Sequence, residues 1–135
     1  MDNVTKIIGP IYVGSWEGVK DFKGDVIFVH HDIQWYTKGL HIPLLSKRPN
    51  SDTDRSGAKV NQTNLDLIME FIEEYFQADS GRPLLIHCKG GVERSPLSVA
   101  SWLVKYHNWT LDRAYFNLKQ LRPIVEDRRE WLNGD

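Results

Sequence analysis

The sequence holds a single cysteine, Cys88, so no disulfide can close within the chain. Stability must come from an apolar core, and a reducing, cytoplasmic compartment is the natural expectation. Apolar stretches extend only a few residues, far short of the about 20 that span a bilayer, so no membrane partner is expected. The opening Met-Asp-Asn-Val-Thr-Lys has no secretory-signal pattern. Charge of one sign is lacking too: 17 Lys and Arg face 18 Asp and Glu. Without a global field there is no pull on nucleic acid, and no nucleic-acid partner is expected, although a local basic pocket remains open. No internal repeat and no low-complexity block is present. Oligomeric state is not legible.

What is present suits one compact domain over residues 1–135, with enough apolar residues for a core. Lys6 to Val13 reads as an opening strand region interrupted by Gly9-Pro10. Val26-Ile27-Phe28-Val29, within Asp25 to His30, reads as a buried strand, and His41 to Leu45 as another short one. Ser46 to Asn61 is polar and holds Pro49 and Gly57, a long loop of the kind that is often functional. Leu65, Ile68, Phe71, Ile72 and Phe76 recur at helical spacing, so residues 62–77 are an amphipathic helix. Pro83 to His87 is short and apolar, like a central strand. Pro96 to Tyr106 is apolar nearly all round, as in a helix buried by its neighbours. Thr110 caps a further helix carrying Leu111, Ala114, Tyr115, Leu118 and Leu121 on one face, which Arg122-Pro123 stops. Asp127 to Leu132 adds a last short helix. Strands followed by helices, with a strand–loop–helix at the centre, predict an α/β domain with helices packed on a small sheet.

That central unit carries the chemistry. A buried strand runs into the seven residues Cys88-Lys89-Gly90-Gly91-Val92-Glu93-Arg94, and then into a helix. Two glycines allow the loop to curl. A curled loop before a helix N-terminus turns successive N–H groups toward one point and makes an anion site. Arg94 closes it with a planar fork suited to two phosphate oxygens. Cys88 lies at the floor of that field, which favours the thiolate as well as the anion. One positive field thus serves to bind phosphate and to activate the nucleophile.

His87-Cys88, five residues, then Arg94-Ser95 resembles the signature of the protein tyrosine phosphatase superfamily. Ile11-Tyr12-Val13-Gly14-Ser15 and Thr110-Leu111-Asp112-Arg113-Ala114, with Leu121-Arg122-Pro123, resemble its dual-specificity branch. The resemblance covers nearly the whole chain. It implies a small central, mostly parallel sheet flanked by helices on both faces, and two-step phosphate hydrolysis without metal or cofactor. It makes Cys88 the nucleophile and Arg94 the phosphate clamp. Lys89, Gly90, Gly91, Val92 and Glu93 supply backbone N–H groups. Ser95 assists breakdown of the phosphocysteine, and His87 supports the thiolate and braces the loop without acting as a base.

The same resemblance requires an aspartate general acid upstream. The place after Ile42-Pro43-Leu44-Leu45, often Asp in the family, is Ser46 here. Asp52 and Asp54 lie 36 and 34 residues before Cys88; Asp54, nearer the helix start, is favoured, with Asp52 the alternative. His30-His31-Asp32 reads as a strand end and not a metal site, since adjacent strand residues point to opposite faces. Trp35-Tyr36 reads mainly as packing, with contact at the substrate rim the minor alternative. The expected substrates are phosphotyrosine and phosphoserine or phosphothreonine of proteins or peptides. The alternatives are a phosphoinositide or RNA 5′-phosphate, a weakly active phosphate-binding module, and a sulfur-transfer enzyme, which Arg94-Ser95 argues against.

Overall fold

The computed structural model describes residues 3–30, 38–45, 58–78 and 80–132. Strands β1 (Val4–Ile8) and β2 (Ile11–Ser15) form an antiparallel hairpin. Gly9-Pro10 makes the turn that interrupts the opening strand region, with Gly9 at a φ of 52°. Strands β3 (Asp25–Phe28), β4 (Leu40–His41) and β5 (Leu84–Cys88) complete a five-stranded sheet of order β1-β2-β5-β3-β4. Every pairing but the first is parallel. The sheet is therefore mixed and mostly parallel, as expected.

β5 lies at the centre and is buried throughout, which is why it reads as an unbroken apolar run. β4 is only two residues long. Beyond it the Ile42 and Leu44 N–H groups still donate to the Phe28 and Val29 carbonyls at 2.9 and 3.0 Å, outside the regular ladder, and Leu45 makes an isolated bridge to Val60.

Three α-helices follow the periodicities of the sequence. In α1 (Gln62–Gln77) the Asn61 side chain accepts from the Asn64 N–H at 3.0 Å, capping the first turn. Helix α2 (Arg94–His107) starts two residues before Pro96, which stands in the first turn where a missing N–H is harmless. It ends on Asn108 in the left-handed conformation, with the Trp109 N–H closing back on the Leu103 carbonyl. Helix α3 (Leu111–Leu121) is capped by Thr110, whose hydroxyl accepts from the Arg113 N–H at 3.1 Å. The last segment forms only a 3₁₀ turn, Arg129–Trp131.

All three α-helices share one large core with Ile11, Val13, Leu84 and Ile86 of the sheet. Trp102 and Leu97 of α2 are fully buried there. The opposite face carries a small cluster of Val19, Val26 and Leu85. Its helical cover among the described residues is the 3₁₀ turn Trp16–Gly18, so the helices lie unevenly on the two faces that the resemblance implies. Alternation along β5 sends Cys88 to the side of the large core, as part of its cluster. No helix among the described residues is long and apolar enough to cross a membrane.

Candidate active site

Cys88 is the last residue of β5 and pairs with Ser15 of β2. Glu93 precedes the first turn of α2, and residues 89–93 span the gap. The sequence-predicted nucleophile, loop, clamp and hydroxyl therefore converge at the carboxyl end of a central parallel strand. Such ends are where ligands bind in open α/β sheets.

The direction of the loop amides follows from what holds its carbonyls. The Lys89 carbonyl accepts from the Trp16 N–H at 3.1 Å. Those of Gly90 and Gly91 accept from Arg122 Nη2 and Nε at 3.0 and 2.9 Å. The Val92 carbonyl accepts from the Glu126 N–H at 2.9 Å. A trans peptide unit points its N–H opposite to its C=O, and the chain has no cis bonds among the described residues. The N–H groups of Gly90, Gly91, Val92 and Glu93 are thus turned away from these outer partners, toward the concave side. The first turn of α2 adds the positive end of its helix dipole there.

The two glycines are not equivalent. Gly91 has a φ of 67°, and a Cβ on it would stand 2.7 Å from Arg122 Nη2 and 2.8 Å from the Gly14 backbone. Gly90 has no positive φ, and a Cβ there would meet only Val92 Cγ2 at 3.3 Å. Glycine is a requirement at 91 and a convenience at 90.

Cys88 is 2% exposed, and its Sγ lies 3.4 Å from the Ser95 hydroxyl, itself fully buried. Ser95 is thus more than a helix-start residue, because its oxygen faces the sulfur. Arg94 is buried, with its guanidinium over the Trp131 ring at 5.9 Å from the centroid. His87 is fully buried and stacked on Phe28 at 4.7 Å. Burial lowers its pKa to about 4, against a weaker opposing hydrogen bond to the Cys88 backbone. The ring is neutral at pH 7. Its Nδ1 lies 3.3 Å from the Cys88 carbonyl, which only accepts, so the proton sits on Nδ1. That bond ties the ring to the end of β5 beside the sulfur, the geometry of a brace.

Sequence reasoning missed two arginines. Arg122, read as a helix stop, is 2% exposed and ties the loop to Thr5 of β1, whose hydroxyl faces Nη1 at 2.9 Å. No local feature of the sequence marks this role, since Arg122 lies 31 residues from Gly91. Arg128 donates to Glu93 at 2.8 Å from the final segment. Asp52, Asp54, His31, Asp32, Trp35 and Tyr36 lie outside the described residues. His30 is buried after β3, and its carbonyl accepts from His41 Nε2 at 2.6 Å.

The family model for the dual specificity phosphatase catalytic domain matches residues 35–133. The chain belongs to that family. It is thereby a member of the dual-specificity branch of the protein tyrosine phosphatase superfamily, and a phosphatase domain by membership. Among curated relatives, protein phosphatase Slingshot homolog 3 of Mus musculus is 38% identical over 52 residues, 38% of this chain and 8% of that protein. Dual specificity protein phosphatase 12 of Rattus norvegicus is 31% identical over 86 residues, 64% of this chain and 22% of the relative. The chain thus spans a small part of these relatives' length. The solved structure of PTPMT1 in complex with PI(5)P superposes with a TM-score of 0.73 at 19% identity, covering 96% of this chain and 90% of that one. Human DUSP28 gives 0.67 at 15% identity, over 97% and 88%. These likenesses support the fold.

Proposed function

We propose that this dual specificity phosphatase domain hydrolyses phosphate monoesters of proteins through a phosphocysteine on Cys88. The observation that carries the reading is the loop of residues 89–93. The carbonyls of residues 89–92 are held outside by Trp16, Arg122 and Glu126, which turns the N–H groups of residues 90–93 toward an anion above the sulfur.

The Cys88 thiolate attacks phosphorus in line with the leaving oxygen. An S–P bond forms as the P–O bond breaks, and Asp54, or Asp52 in its place, gives the leaving oxygen a proton. Arg94 and the amides of Lys89, Gly90, Gly91, Val92 and Glu93 hold the equatorial oxygens, so positioning and electrostatics do most of the catalysis. The same aspartate, now a carboxylate, takes a proton from water, which displaces Cys88 from phosphorus. Ser95, at 3.4 Å from the sulfur, donates to it as it leaves. The positive charge comes from side chain and backbone, so this chemistry calls for no cofactor.

The substrate class we favour is a protein or peptide bearing phosphotyrosine, phosphoserine or phosphothreonine. Three carboxylates, Glu93, Glu126 and Glu130, gather around Arg128 beside the loop. That arrangement disfavours polyanionic substrates such as phosphoinositides or RNA 5′-phosphates. Matched phosphopeptides and a soluble phosphoinositide, assayed for phosphate release by the purified chain, test this choice. Comparable kcat/KM on phosphotyrosine and phosphothreonine peptides, well above the phosphoinositide, is the expected result. Preference for the phosphoinositide rejects the substrate class, and a phosphotyrosine preference beyond about a thousandfold rejects dual specificity.

A further inference from the structure

Glu93 poses a problem inside an anion site. It contributes a backbone N–H to the loop, yet brings a carboxylate to the place where a phosphate dianion is to bind. That carboxylate is largely buried, its side chain 12% exposed. A buried charge left alone is costly, and a like charge beside a ligand opposes binding.

The structure answers with Arg128. Its Nε donates to Glu93 Oε2 at 2.8 Å, Nη2 to Glu126 Oε2 at 2.8 Å and Nη1 to Glu130 Oε2 at 3.4 Å. The guanidinium lies over the Trp131 ring at 5.5 Å, the ring that also carries Arg94. Arg128 is itself anchored to the loop, because the Glu126 N–H two residues earlier holds the Val92 carbonyl. The pair therefore joins neighbours in space that are 35 residues apart in sequence.

We propose that Arg128 is a positioning residue for phosphate binding: it holds the Glu93 carboxylate on the outer side of the loop and cancels its charge there. The inference rests on the reading of residues 88–94 as a phosphate site. Without Arg128 the carboxylate loses this ion pair, and more of its field acts on the anion. Loss of Arg128 then weakens phosphate binding through Glu93, and removing the Glu93 charge restores it. A merely structural Arg128 predicts the opposite, since Glu93→Gln cannot mend a misfolded segment.

The test uses inorganic phosphate as a competitive inhibitor of aryl phosphate hydrolysis, with thermal melting of each variant. Arg128→Met is expected to raise Ki for phosphate and KM about tenfold, with kcat changing much less. The double variant with Glu93→Gln is expected to return Ki to within about threefold of the parent. Glu93→Gln alone, which removes one carboxylate from the loop while Arg128 stays paired with Glu126 and Glu130, should bind phosphate about threefold more tightly. An unchanged Ki in Arg128→Met, or a double variant as weak as the single, overturns the proposal. Should Arg128→Met not fold, Arg128→Gln, which drops the charge but keeps a hydrogen-bonding side chain, replaces it alone and with Glu93→Gln, with the same expected and overturning changes in Ki. A parent protein that binds no phosphate rejects the underlying site instead, and is seen before any variant is compared.

Discussion

Arg122 and Gly91 interlock: the arginine Nε donates to the Gly91 carbonyl at 2.9 Å, while its Nη2 occupies the space a Cβ at 91 would need. The loop's shape therefore depends on an absent side chain at one position and a buried cation at another. Gly91→Ala must bear a left-handed backbone, costing about 1 kcal/mol or more, and crowd both Arg122 and the Gly14 backbone. We expect kcat/KM on an aryl phosphate to fall by at least about a hundredfold, because a small displacement of positioning groups is costly. Gly90→Ala should stay within about fivefold, as its Cβ meets only a flexible valine methyl. Equal losses in the two variants would refute the distinction.

The general acid is tested by leaving-group dependence. Asp54→Asn should slow hydrolysis of a phosphopeptide by about 10²–10⁴-fold. The loss should shrink on an activated aryl ester, whose leaving oxygen needs no proton. Steady-state kcat on the two esters reads this directly. If Asp52→Asn shows the pattern and Asp54→Asn does not, the roles are exchanged.

His87 makes a prediction about stability and pH. Burial lowers its pKa from 6.5 to about 4, so the unfolded chain takes up a proton that the folded chain refuses. Its contribution is complete above about pH 6.5 and is lost as pH falls toward 4, on the order of 3 kcal/mol in all. Asp25 acts in a lower window. Hydrogen bonds from Arg82 and Tyr75 bring it from 3.8 to about 2, so its contribution is present above 3.8 and lost below. Urea denaturation between pH 4 and 7 should show a steep fall in the parent and a shallower one in His87→Asn. Identical slopes would mean that His87 titrates normally in the folded state.

Much of this was legible in the sequence, and the failures have physical reasons. Residues 62–77 match α1, because the period of Leu65, Ile68, Phe71, Ile72 and Phe76 is local and strong; the Asn61 cap that fixes its start emerged only in the structure. The strand–loop–helix around Cys88 was legible because a buried strand, glycine and arginine each leave a local mark. The closing segment was not. Arg122 next to Pro123 carries a stop signal, and its contacts with Gly90 and Gly91 arise only when β1, α3 and the loop meet. Asp127 to Leu132 read as a helix but forms a 3₁₀ turn. Its residues are committed to the loop, to α3 and to one another: Arg128 to Glu93, Arg129 to Asp112 and Asp127. His41 to Leu45 read as a strand, but regular pairing stops at His41, and Ile42 and Leu44 keep only irregular bonds to Phe28 and Val29.

The central claim is that Cys88 carries the phosphoryl group between substrate and water. Rapid mixing with an aryl phosphate, quenching within milliseconds and peptide mapping by mass spectrometry test it most directly. The account predicts phosphate on Cys88 during turnover, and none in Cys88→Ser, which should retain under about 1% of activity while still binding phosphopeptide. Turnover with no phosphate on Cys88, or a Cys88→Ser variant that keeps its activity, would contradict it.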